Sequence, residues 1–154
     1  MKTIIFEKLQ PYSKLWKYED FRKHIIKYSG SLDPENCEID LKIHLFEKVG
    51  EVPCRPIWHY DGTNSPSTDS LWKYSLFLTG DCISRTLFFK NEPDWFDGSE
   101  KDIHKYASGL QKQGEPTRSL DYEKFTDYTN KNLHTGVNSE NTGTRILIRL
   151  KEII

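Results

Sequence analysis

The feature that most restricts how this chain can fold is the alternation at residues 39–45. There Ile39, Leu41, Ile43 and Leu45 are interleaved with Asp40, Lys42 and His44. Successive side chains of an extended strand point to opposite faces, so a strict period of two specifies a strand with one apolar and one polar side. The pattern returns near the end of the sequence. Across residues 144–154, Ile146, Ile148 and Leu150 share one face, while Arg145, Leu147 and Arg149 share the other. Strands this far apart in sequence imply a sheet built from distant partners.

The intervening chain reads as short strands with turn signals between them. Residues 54–60 form one, after a bend bracketed by Gly50 and Pro53. Residues 71–78 and 82–89 form a hairpin about Thr79-Gly80-Asp81, and residues 125–133 lead into His134. Residues 61–70 are rich in Gly, Asn, Ser, Pro and Thr, a loop of the kind that edges an active site. Residues 91–114 are polar and irregular, with a helical turn about 101–110. Ahead of the alternation, residues 3–6 suggest an edge strand. Leu15, Trp16, Tyr18, Phe21, Ile25, Ile26 and Tyr28 then recur at mostly three- and four-residue spacing, which predicts an amphipathic helix over 14–28. Ser13 is its N-cap and Gly30 its stop. His24, His44 and His104 fall among charges or on polar faces and read as solvent-facing.

A single domain over 1–154 is expected, with a strand and supporting helix in 1–30 and the sheet core in 39–150. The fold class is mainly β with one or two helices, a sandwich or barrel of jelly-roll type with the N-terminal helix packed on it. The 22 basic and 23 acidic residues leave a net charge of -1, so the whole molecule exerts no pull on nucleic acid. Cys37, Cys54 and Cys82 are odd in number and show no CxxC pair, which suits a reduced compartment. No stretch approaches the roughly 18 apolar residues of a membrane span, and the first residues turn polar too soon for a signal peptide. A cytoplasmic location is expected. The sequence also lacks a GxSxG elbow, a phosphate-binding P-loop and a dinucleotide fingerprint.

Chemistry concentrates at Arg55-Pro56-Ile57-Trp58-His59-Tyr60-Asp61-Gly62. On a strand, His59 and Asp61 point the same way. A turn begun by Asp61-Gly62, with His59 packed on Trp58 or Tyr60, explains the pair equally well when it is taken alone. Two further features shift the balance. His134 lies 73 positions after Asp61, at the start of a glycine-containing loop. Arg145 and Arg149 then follow on one face of an otherwise apolar strand, and a guanidinium turned towards a core is costly unless an anion meets it. Two imidazoles and one carboxylate are the donor set that holds Fe(II) facially with open positions.

In this order and spacing, Trp58-His59-Tyr60-Asp61-Gly62, Leu133-His134-Thr135-Gly136 and Thr144-Arg145-Ile146-Leu147-Ile148-Arg149 resemble the iron(II)/2-oxoglutarate-dependent oxygenase superfamily. The resemblance covers about residues 39–150 and implies a double-stranded β-helix core. It implies Fe(II) on His59, Asp61 and His134, with 2-oxoglutarate and O2 as co-substrates. It also implies a hydroxylation or demethylation that releases succinate and CO2. Arginine supplies the bidentate, permanently charged fork that a distal carboxylate needs. By resemblance Arg145 is the first choice for it, and Arg149 a second contact or a brace. Tyr74, Arg85 and Thr86, from central strands, are expected to add hydrogen bonds. The chain departs from the family in its short length, in Thr135 after the second histidine and in the small polar residues of 61–70. The primary substrate is left open among a protein side chain, a nucleobase and a metabolite. Two alternatives remain: a non-catalytic jelly-roll module gripping an anion or a protein partner, and a cupin-like metal barrel without 2-oxoglutarate.

Overall fold

The computed structural model describes residues 2–11, 27–28, 30–52, 57–61 and 71–152, with Glu19 and Lys23 singly. Eight strands and one α-helix make up its regular structure among these residues: β1 (Lys2–Pro11), β2 (Cys37–Phe46), β3 (Lys73–Gly80), β4 (Thr86–Phe89), α1 (Glu100–Lys112), β5 (Thr117–Ser119), β6 (Thr126–Thr129), β7 (His134–Gly136) and β8 (Gly143–Glu152). A 3-10 turn at Pro34–Asn36 leads into β2. One sheet has the order β1-β2-β8-β3-β6 and the other β5-β4-β7. Every pairing is antiparallel. The two sheets form an open sandwich among the described residues, not a closed barrel. The helix expected over 14–28 lies largely outside the described residues, as do most of 54–56 and 61–70.

The two alternating strands are neighbours. β2 and β8 pair along their whole length, with Asp40 opposite Arg149 and His44 opposite Arg145. Their apolar faces meet in a core of Leu32, Cys37, Ile39, Leu41, Phe77, Ile148 and Leu150, against which Tyr28 and Phe125 pack. Their other face is not in water. Asp40, His44 and Arg145 are buried there, and this face looks into the sandwich. The expectation that His44 is solvated is therefore corrected. A period of two states that the faces differ, and both can be covered when a strand is central in a sheet.

The expected hairpin of 71–78 with 82–89 does not form. β3 pairs with β8 and β6, whereas β4 pairs with β5 and β7 in the other sheet. Residues 81–85 cross between sheets and are pinned by side chains in addition to backbone hydrogen bonds with Thr144, Val137 and Glu140. Asp81 Oδ1 accepts the Thr144 N–H at 2.5 Å, and Asn141 Oδ1 accepts the Ile83 N–H at 2.7 Å. The Tyr122 hydroxyl donates to Cys82 O and accepts the Ser84 N–H, both at 2.8 Å. Gly80, at φ +108, starts the corner where a Cβ would strike the Thr144 carbonyl.

Residues 91–114 are more ordered than expected, since α1 runs for 13 residues. Ser99 caps it by accepting the Asp102 N–H, with Glu100 and Asp102 in the first turn where the helix dipole favours them. Ile103 and Ala107 turn inward to a cluster with Trp58, Tyr60, Phe89 and Leu133, joined by Leu110. A third cluster of Tyr74, Leu76, Phe88, Leu120 and Tyr128 fills the space between the sheets. No described helix is long and apolar enough to cross a membrane.

Candidate metal centre

Residues 57–61 run beside β7, with His59 and His134 exchanging backbone hydrogen bonds. The His59 N–H donates to His134 O at 2.9 Å and the His134 N–H to His59 O at 3.1 Å. The alternation of this short extended piece splits its chemistry. Trp58 and Tyr60 enter the cluster under α1, while His59 and Asp61 face the interior. Trp58 is fastened at two points: its N–H donates to His104 Nδ1 at 3.1 Å and its Nε1–H to Gln111 Oε1 at 3.2 Å. His104 is thus half-buried on α1 and not simply solvent-facing.

The two histidines are oriented identically. His59 Nδ1 lies 2.6 Å from Ile57 O, and His134 Nδ1 lies 3.1 Å from Asn132 O, the carbonyl two residues earlier in each case. A carbonyl oxygen only accepts, so each Nδ1 carries hydrogen and each Nε2 is left to act as a donor atom for a cation. His59 Nε2 is 3.8 Å from Asp61 Oδ1, and His134 Nε2 is 3.4 Å from Asp61 Oδ2. One donor atom from each of His59, Asp61 and His134 lies within 4.8 Å of the others, and all three residues are buried. Two nitrogen lone pairs and a carboxylate directed at one another repel unless a proton or a metal cation lies among them. The group fits a metal ion on the chemistry of its donors, with the opposite imidazole nitrogens anchored as they are in metal sites.

The carboxylate is heavily supported. Asp61 Oδ2 accepts from the Tyr128 hydroxyl and from Arg149 Nη1, the latter at 2.8 Å. Arg149 also bonds Asp40 Oδ2 through Nε, at 2.9 Å, and through Nη2. Burial raises the Asp61 pKa, but His134, Arg149 and the Tyr128 hydrogen bond outweigh it and hold the carboxyl well below the usual carboxylate range. Burial, with the Asp61 charge behind it, pushes the Tyr128 phenol well above its ordinary value, so it is a neutral donor. Tyr128 stacks on Tyr74 and meets Phe88 and His134 edge-on, at centroid distances of 5.1, 5.4 and 5.3 Å.

The remaining expected site residues divide. Arg149 is at the centre, and Tyr74 lies under its guanidinium at 5.5 Å. Arg145 is two same-face positions earlier on β8. Its Nη1 donates to Ser84 O at 2.8 Å, its Nη2 faces His44 Nδ1 at 3.3 Å, and its guanidinium lies over Phe46. That is a brace between β8 and the crossover at 81–85. Thr86 is buried at the start of β4, opposite Gly136. Arg85 turns towards Glu140 and the Tyr122 ring.

Asp40, Tyr128 and Glu92 were not singled out from sequence. Glu92 accepts the Leu133 N–H at 2.9 Å and the Asn132 side-chain N–H at 3.1 Å, which steadies the turn ahead of His134. Asp40 alone carried a signal, since its parity on β2 matches that of His44. Comparison with known proteins gives no match: no family model, no curated protein and no solved structure resembles the chain significantly.

Proposed function

We propose that the chain is an Fe(II)- and 2-oxoglutarate-dependent dioxygenase on a double-stranded β-helix core, with His59, Asp61 and His134 as the metal ligands. The observation that carries this reading is the paired anchoring of the two imidazoles, which leaves both Nε2 atoms beside a buried carboxylate. The order His-x-Asp, then His, then arginines on the last strand is the second support. When loaded, such a centre supplies the oxidative decarboxylation of 2-oxoglutarate to succinate and CO2, coupled to hydroxylation or demethylation of a substrate C–H bond.

The chain's own residues prepare the site. The Ile57 and Asn132 carbonyls hold the imidazole tautomers. His134, then Arg149 and Tyr128, keep Asp61 ionised, and Arg149 is the cation placed to meet a carboxylate brought to the centre. Arg145, roughly 13 Å away in strand rise, serves the fold. Tyr74, Phe88 and Tyr128 form an aromatic wall that excludes water from one side, and Thr86 lies on the same inward face as Phe88. The substrate is a protein side chain, a nucleobase or a metabolite.

One observation favours a second reading. Arg149 is already engaged by Asp40 and Asp61, so a 2-oxoglutarate carboxylate has to share it with them. A jelly-roll module that holds a metal or an anion without turnover is consistent with that pairing. The two readings separate on succinate formation from 2-oxoglutarate under Fe(II) and O2. The dioxygenase reading expects turnover in the wild type and none in His59→Ala; equal rates in both would refute it.

A further inference from the structure

We infer that Tyr128 and Asp40 are positioning residues of the metal centre, fixing which oxygen of Asp61 is offered to the metal. The inference rests on the reading of His59, Asp61 and His134 as ligands, and not on 2-oxoglutarate.

A carboxylate has about four acceptor positions, two on each oxygen. On Asp61 the Tyr128 hydroxyl and the Arg149 guanidinium both come to Oδ2, which fills that oxygen. Among the described residues Oδ1 takes neither of these donors and stays open to a metal, with His59 Nε2 3.8 Å away, while Oδ2 is also the oxygen nearer His134 Nε2, at 3.4 Å. Asp61 is thereby held as a one-oxygen ligand, and a facial set with one-oxygen carboxylate binding leaves the largest number of positions open. Neither support is free to drift. Tyr128 is wedged between Tyr74 and Phe88. Arg149 is anchored from behind by Asp40, its direct cross-strand neighbour on β2. The chain Asp40–Arg149–Asp61 therefore reaches from the five-stranded sheet to the segment beside the three-stranded one. Asp40, nowhere adjacent to His59 or Asp61 in sequence, acts on the centre through Arg149.

The test is anaerobic titration of the full chain with Co(II), reading both affinity and the visible d–d spectrum, in wild type, Tyr128→Phe, Asp40→Asn and His59→Ala. Tyr128→Phe removes one oxygen and keeps the ring packing, and near-UV circular dichroism verifies the fold. Co(II) affinity is expected to fall about 10- to 100-fold in Tyr128→Phe. Its d–d bands should weaken and shift as Asp61 turns to bind through both oxygens, a change that loss of packing alone does not produce. Asp40→Asn is expected to move the same bands in the same direction. Wild-type spectra and affinities in both variants, with binding lost only in His59→Ala, would overturn the assignment and leave the metal centre standing. Absence of Co(II) binding by the wild type would overturn both. Normal Co(II) behaviour without succinate formation would instead count against the dioxygenase alone.

Discussion

Arg149 joins two buried carboxylates with one charge, and its side chain keeps only 22% of its exposure. Removing it takes the shared cation away from two carboxylates held in a low-dielectric interior. Arg149→Met is therefore expected to lose about 3–5 kcal/mol of stability. Urea unfolding reads the change, and a loss below 1 kcal/mol would show that the pair is solvated. His44 makes a separate prediction with a definite sign. Burial first, and the Arg145 charge next, lower its pKa from 6.5 to about 4. The imidazole is neutral in the fold, whereas the unfolded chain takes up a proton below about 6.5. Its contribution is thus complete above pH 6.5 and is lost as the pH falls towards 4, about 3 kcal/mol in all. His44→Gln should flatten that part of the pH–stability profile. Parallel profiles for the two proteins would contradict it.

At the scale of elements, α1 and residues 57–61 form one unit, because the backbone and ring N–H groups of Trp58 are both held by the helix. Trp58→Ala removes a fully buried ring stacked on Phe89 at 4.5 Å and should cost about 3–5 kcal/mol. It should also loosen His59, so metal affinity falls with stability. Unchanged metal affinity in a destabilised Trp58→Ala protein would separate the two. These elements also show what the sequence could and could not disclose. β2 and β8 were legible because alternation over seven or more residues has one structural meaning. Which face met water was not, and so the buried His44 read as solvated. The turn at Gly80 was legible as a break, yet the sheet change after it depends on Asp81, Tyr122 and Asn141, side chains that are distant in sequence. His59, Asp61 and His134 were legible through residue type and order. Tyr128 was hidden because a tyrosine in a short strand usually signals packing, and only the fold brings its hydroxyl to Asp61.

At the scale of the molecule, the centre lies where the two sheets face each other. Its ligands come from β7 and the adjoining segment, and its supports from β2, β6 and β8. A metal bound there ties β7 to the segment beside it and binds only the folded chain. At a hundredfold excess over Kd it should add about 2.7 kcal/mol, a rise in Tm of roughly 5–10 °C, reversed by a chelator. Equal melting with and without metal would contradict a folded-state site. The most direct measurement is anaerobic titration of the metal-free protein with Fe(II) and then 2-oxoglutarate, followed by visible absorption. A charge-transfer band that forms only after both additions, and is missing from His59→Ala and His134→Ala, is the predicted result. A wild-type protein that retains no Fe(II) would contradict the account at its centre.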